Sequence, residues 1–183
     1  MFMKATGIIR RIDNLGRLVI PKEIRKVLKI KESDPMEIFV GSDGEIVLKK
    51  NSPMADMSVF AQQYVEAVSQ SLGLPVVITD RDTVIAVAGM PKKDILGSEL
   101  HRELENVIDS RRSVATRKGE KGFARITVDG MDLDGEVIQP IIAEGDAIGA
   151  VVVMAKDPAG RIGDIEKKAA VIAASFLGKQ MEV

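Results

Sequence analysis

The stretch GMDLDGE at 130–136 sets two carboxylates and a glycine at the spacing of a calcium loop, with Asp132, Asp134 and Gly135 on its third, fifth and sixth positions. The first position would be Gly130 and the last Ile141, so the opening carboxylate and the bidentate closing ligand are missing, and an acidic turn is the favoured reading. Glu103 and Glu105 stand two apart, a spacing that turns them to different sides of a helix rather than onto one substrate. His101 is the only histidine, so any His–carboxylate or Ser–His relay would have to pass through it, and its surroundings, Glu-Leu-His-Arg-Glu, read as an exposed helix surface. The absence of cysteine excludes thiolate nucleophiles, disulfides, Cys-held zinc and covalently attached tetrapyrroles, and suits a reducing cytosol. Neither a dinucleotide nor a P-loop glycine spacing occurs. No catalytic residue, metal or cofactor is expected.

Charge carries the stronger signal. Net charge is only −1, but residues 1–50 hold 11 Lys/Arg against 7 Asp/Glu while 51–183 hold 15 against 20. Within 4–31 the imbalance is 9 basic to 2 acidic, the electrostatic footprint of a polyanion partner. Arg10, Arg11, Arg17, Lys22, Arg25, Lys26 and Lys29 make up the cluster, and solubilising charge is the competing explanation for it. Phe2 and Phe39 are the only aromatics of residues 1–50, so there is no stacking platform for single strands, and a duplex is the better target. One helix is too few for a helix-turn-helix, which leaves a β-ribbon and loop surface with arginines directed into a groove.

The elements that must position these cations are short. Residues 4–12 and 17–20 favour strand, with Asn14 and Gly16 as turn residues between them. Pro21 suits the first position of a helix, and Ile24, Val27 and Leu28 follow at i, i+3 and i+4. A second hairpin, 36–40 with 45–50, turns across Gly41-Ser-Asp-Gly44. This β-β-α-β-β unit has too little core to stand comfortably alone, which an intertwined dimer would remedy. Ser52-Pro53 offers a cap and first turn for the next helix, and the boundary is placed there, giving domains 1–53 and 54–183.

In the second part, Met57, Phe60, Ala61, Tyr64, Val65, Val68 and Leu72 form one helical stripe closed by Gly73. Strands are expected at 74–80 and 83–89, then a helix capped by Ser98, a loosely structured loop at 113–122, strands at 123–129, 136–143 and 147–156, and a closing helix marked by Ile165, Ala169, Ile172, Phe176 and Leu177. Pro140 marks an edge or bulge. The fold class is α+β, with the second domain a single antiparallel sheet flanked by helices. The longest apolar runs, 147–155 and 169–178, fall short of the ~20 residues that span a bilayer, and the N-terminus lacks a signal-peptide core, so a cytoplasmic protein is expected.

MFMKATGIIRRIDNLGRLVIPKEIRKVLKI, continued by DPMEIFVGSDGEIVLKK, resembles the AbrB-type swapped-hairpin domain along its length, most tellingly in LGRLVIPKEIRKVL. The resemblance implies a β-barrel dimer made by exchanged hairpins and a role in regulating transcription in spore-forming bacteria. Carried over by position, the family's DNA-contacting residues fall on Arg10, Arg17 and Arg25, with Lys4 and Arg11 as phosphate contacts. Lys26 stands where an Arg-Arg pair is common; it keeps the charge but not the fork. Residues 54–182 resemble a GAF domain, most clearly in VIQPIIAEGDAIGAVVVMAK, which implies either a site for a small-molecule effector of unknown identity or an oligomerising role.

These readings converge on a double-stranded-DNA-binding transcription regulator, dimeric through its first domain and tetrameric through its second. An antitoxin-like module whose main partner is another protein, and an enzyme using a pocket of the second domain, are the rivals.

Overall fold

The computed structural model describes residues 6–32, 34–51, 54, 57–156 and 162–182. The chain divides into two compact units, 1–51 and 52–183, and Ser52 and Pro53, where the hinge and helix cap are expected, lie outside the described residues.

In the first unit, the expected turn is formed, and the expected strands on either side of it are not. Residues 6–12 and 18–20 carry no ladder pairing. A two-stranded ribbon is marginal unless its apolar face is covered, and among the described residues of this unit that face is left open: Ile9 is 89 % exposed, and Ile12, Leu15, Leu18 and Val19 are exposed with it. Helix α1 (Lys22–Val27) follows Pro21, whose φ of −58° suits its place at the helix start. The helix ends in a Schellman motif, with Ile30 N–H donating to the Arg25 carbonyl and Lys29 N–H to that of Lys26, and this places Lys29 at φ 51°. Strands β1 (Met36–Val40) and β2 (Ile46–Lys50) pair antiparallel from Met36↔Lys50 to Val40↔Ile46.

The second unit is built on a five-stranded antiparallel sheet. Its strands are β3 (Val76–Thr79), β4 (Val84–Ala88), β5 (Val114–Arg117), β6 (Gly135–Ala143) and β7 (Asp146–Ala155), in the order β4-β3-β7-β6-β5. Period-two alternation divides the core in two. On one face Val76, Ile78, Val137, Ile141, Val151 and Val153 meet α2 (Ser58–Leu72) and α4 (Asp164–Gln180). On the other, Val77, Val87, Ile138, Val152 and Met154 meet α3 (Arg102–Ser110) and the segment 123–133.

Four expectations need correction. The loop expected at 113–122 supplies a strand, β5, because Val114-Ala-Thr-Arg pairs with β6 from Val114↔Ile138 to Arg117↔Gly135. The strand expected at 123–129 is absent apart from an isolated Leu100↔Thr127 bridge, since carboxylates and loop carbonyls engage its backbone in place of a ladder. Ser98 does not cap α3. Leu100 and His101 first donate to the carbonyls of Asp82 and Ile126, so the helix opens only after His101, whose Nδ1 accepts the Glu103 N–H at 3.2 Å. His101 is therefore a half-buried cap rather than an exposed helix-surface residue. Beside Pro140, the β6–β7 register shifts between Ile141 and Ile142, in keeping with the expected bulge.

Candidate nucleic-acid interface

Asp13 organises the turn from which the cations are presented. Its carboxylate accepts the N–H groups of Leu15 at 2.9 Å and Arg17 at 2.8 Å, and its second oxygen accepts Arg17 Nε at 2.8 Å. Gly16 N–H returns to the Asp13 carbonyl with φ 75°, a conformation open to glycine. The Arg17 backbone N–H, then its guanidinium, hold the Asp13 carboxyl below its usual range. The Arg17 side chain is thus fixed in plane while 69 % exposed, which is what forked recognition of a phosphate or a guanine edge requires.

Arg10, Arg11, Arg25 and Lys26 are exposed as well. Arg10 lies at the rim of an apolar groove of about 500 Å³ lined by Ile8, Ile9, Leu18, Ile20, Pro21 and Ile24. This groove brings the two unpaired segments and α1 together, so Arg10 and the α1 face share one surface. Arg25 is anchored at the end of α1, where its carbonyl accepts Ile30 N–H at 2.8 Å. Lys4 lies outside the described residues. Asp34 ties this helix end to the second hairpin by accepting Lys31 N–H at 2.7 Å and pairing with Lys50 Nζ at 3.1 Å. Neither Asp13 nor Asp34 stands out in the sequence, although Asp-x-x-Gly before a β-branched run is the signal of an Asx-type turn.

The acidic stretch 130–136 holds no group of carboxylates suited to a metal. Asp132 is exposed and paired with Lys118, and no cluster of three or more metal-ligating side chains occurs among the described residues. Glu136 was not anticipated as special. Its side chain is fully buried, Oε1 accepts Ala124 N–H at 2.6 Å and Thr116 Oγ1 at 3.5 Å, and burial pushes its carboxyl up to about 7.

Fold and surface together define a two-unit chain: a basic hairpin-and-helix unit joined to an antiparallel sheet flanked by helices. The family model described as stage V sporulation protein T C-terminal, transcription factor, matches residues 56–182, and that of the bacterial antitoxin MazE matches 9–56. Stage V sporulation protein T of Bacillus subtilis (strain 168) is 49 % identical over 180 residues, 98 % of this chain and 99 % of that one. The transition state regulatory protein AbrB of the same strain is 57 % identical over 53 residues, covering 29 % of this chain and 54 % of its own. The GAF domain of an Acinetobacter phosphoenolpyruvate-protein phosphotransferase superposes with a TM-score of 0.54 at 13 % identity over 72 % of this chain and 93 % of that one, which concerns the fold alone. The chain belongs to the stage V sporulation protein T family. It is a DNA-binding transcription factor with an AbrB-type N-terminal unit and a GAF-like C-terminal unit.

Proposed function

We propose that this protein binds double-stranded DNA sequence-selectively through Arg10, Arg17 and Arg25, with Lys4, Arg11 and Lys26 on phosphates, as a cytoplasmic homo-oligomer controlling sporulation genes. The observation that carries the reading is the state of the first unit: among its described residues no apolar side chain is buried, yet Arg10, Arg11, Arg17, Arg25 and Lys26 are exposed, with Arg17 held by Asp13. Such a surface is completed by a second copy. The partner's apolar segments fill the groove beside Arg10 and pair with the open edges at 6–12 and 18–20, which places both copies' arginines on one polycationic face.

A regulator rather than a catalyst also accords with the transcription-factor family model that matches residues 56–182. The antitoxin-like alternative concerns the first unit only, whereas the full-length relative is a transcription factor. No helix among the described residues is long and apolar enough to cross a membrane.

Duplex selection from a random pool by the full-length protein, followed by affinity measurements on the selected site, tests the reading. Affinity should fall with salt with a log–log slope of about −0.9 per phosphate neutralised, and the selected sequences should share a motif. A pool that emerges unenriched removes the sequence-selective reading.

A further inference from the structure

Residues 118–134 leave the sheet at the end of β5, pass over the face that carries α3, and return into β6. Their two ends are tied together by Lys118 N–H on the Asp134 carbonyl at 3.0 Å and by the Lys118–Asp132 ion pair. Gly119, Gly122 and Gly130 have φ of 86°, 97° and 76°, and a Cβ at Gly119 or Gly130 would meet nothing. The excursion therefore stands on closed feet with permissive joints.

What holds its body down is unusual for a core segment. In place of a strand ladder, two carboxylates from different elements clasp successive backbone amides: Glu136 Oε1 takes Ala124 N–H at 2.6 Å, and Glu103 Oε2 takes Arg125 N–H at 2.8 Å. Ile126 accepts His101 N–H, and Val128 donates to the Glu99 carbonyl. The apolar side chains that close the second core from above are Ala124, Ile126 and Leu133.

Glu136 is the weak member of this clasp. Its Oε2 is buried with no hydrogen-bond partner among the described residues, so an ionised carboxylate there is only half satisfied. Around it stand the Thr116 hydroxyl on β5, Met154 paired with it on β7, and the Ala124 amide. The charged neighbour on α3 is Glu103, of like sign, itself 3.5 Å from Arg125 Nε and 3.6 Å from His101 Nδ1.

We propose that residues 118–134 are a strap that opens over the second core of the GAF-like unit, with Glu136 as a proton-controlled latch. With its proton on, the carboxyl is compatible with burial and still accepts the Ala124 N–H. With the proton off, the buried charge is relieved when the strap lifts and water reaches Oε2. Opening uncovers the apolar surface beneath Ile126 and Leu133, and the proton balance of the cell sets how often it is uncovered. The proposal is independent of the DNA-binding reading.

Amide hydrogen exchange of the full-length protein between pH 5.5 and 8.5, corrected for intrinsic rates, tests the latch. Burial raises the Glu136 pKa to about 7 in the closed form, and the open form returns to the ordinary carboxylate range, so opening becomes more favourable with pH and levels off above that value. Protection of the Ala124 and Arg125 amides should fall about tenfold from pH 6 to pH 8, while the amides of Val137 and Val152 hold. Glu136→Gln should give a flat profile. Glu103→Gln, which keeps an acceptor for Arg125 but removes the like charge, should move the midpoint down. A flat wild-type profile, a pH step that survives in Glu136→Gln, or β6 and β7 losing protection in parallel would overturn the latch. Should Glu136→Gln fail to fold, the wild-type profile and the Glu103→Gln midpoint decide.

Discussion

Arg17 shows how one side chain is prepared for recognition by its neighbour. An exposed arginine loses rotamer freedom when it grips DNA, and Asp13 has already taken much of that freedom away by holding Nε. Arg17→Ala and Arg25→Ala should each weaken duplex binding by about 1–3 kcal/mol if they read bases, whereas Arg102→Ala on the acidic unit should leave it unchanged; titration of a labelled duplex measures all three. Equal losses from the three would mean that charge alone, not this surface, governs affinity. The same turn is sensitive to acid. Because folding lowers the Asp13 pKa below its ordinary 3.8, the turn keeps its full stabilisation above that value and loses it as pH falls through the depressed one. The Leu15 and Arg17 amide resonances should therefore shift together with a midpoint below 3.8.

At the scale of elements, local rules and tertiary demands part company at identifiable places. Helix α1 was legible from Pro21, Ile24 and Val27, but its end was not, because Lys29 adopts a left-handed conformation that sequence assigns to glycine. Lys29→Gly should consequently stabilise the full-length protein by about 0.5–1 kcal/mol, read as a raised melting temperature of the first transition. The opposite case is Gly178 on α4, where an added Cβ would collide with the Ile142 carbonyl of β6. Gly178→Ala should cost about 1–3 kcal/mol in denaturant unfolding. The 113–129 region was misread because its charges suggested a loop and its β-branched run suggested a strand, while pairing with β6 and clasping by Glu136 decided otherwise. The cations of the interface were legible as types and spacing; Asp13, Asp34 and Glu136, which hold backbone groups, were not, since an isolated carboxylate gives no periodic signal.

For the whole molecule the question is what covers the apolar surface that each unit leaves open. The sequence marks α4 by Ile165, Ala169, Ile172, Phe176 and Leu177, yet the side turned to the sheet is Ala170, Ala173, Ala174 and Leu177. Small residues let α4 approach β6 closely, and the larger ones are displaced outward: Ile165 is 71 % exposed and Ile172 65 %, in line with Phe176 at helical spacing. Phe176 stacks on Tyr64 with ring centres 5.3 Å apart and meets Phe60 at 5.9 Å, so the stripe continues onto an aromatic cluster shared with α2. A stripe of this kind would suit a bundle with α4 of another copy, which would join the basic units into a tetramer with two DNA-binding faces. Full-length protein should then sediment as a tetramer, and Ile172→Asp should reduce it to a dimer without altering the melting of the GAF-like sheet, because Ile172 lies outside its core. Two linked sites raise apparent affinity through effective concentration, so on duplexes carrying two operators the wild type should exceed Ile172→Asp by about 10²–10⁴, while on one operator the two proteins should be equal. A wild type that sediments as a dimer, or a two-operator advantage that survives Ile172→Asp, would leave the stripe without a bridging role and assign cooperation between sites to the first unit.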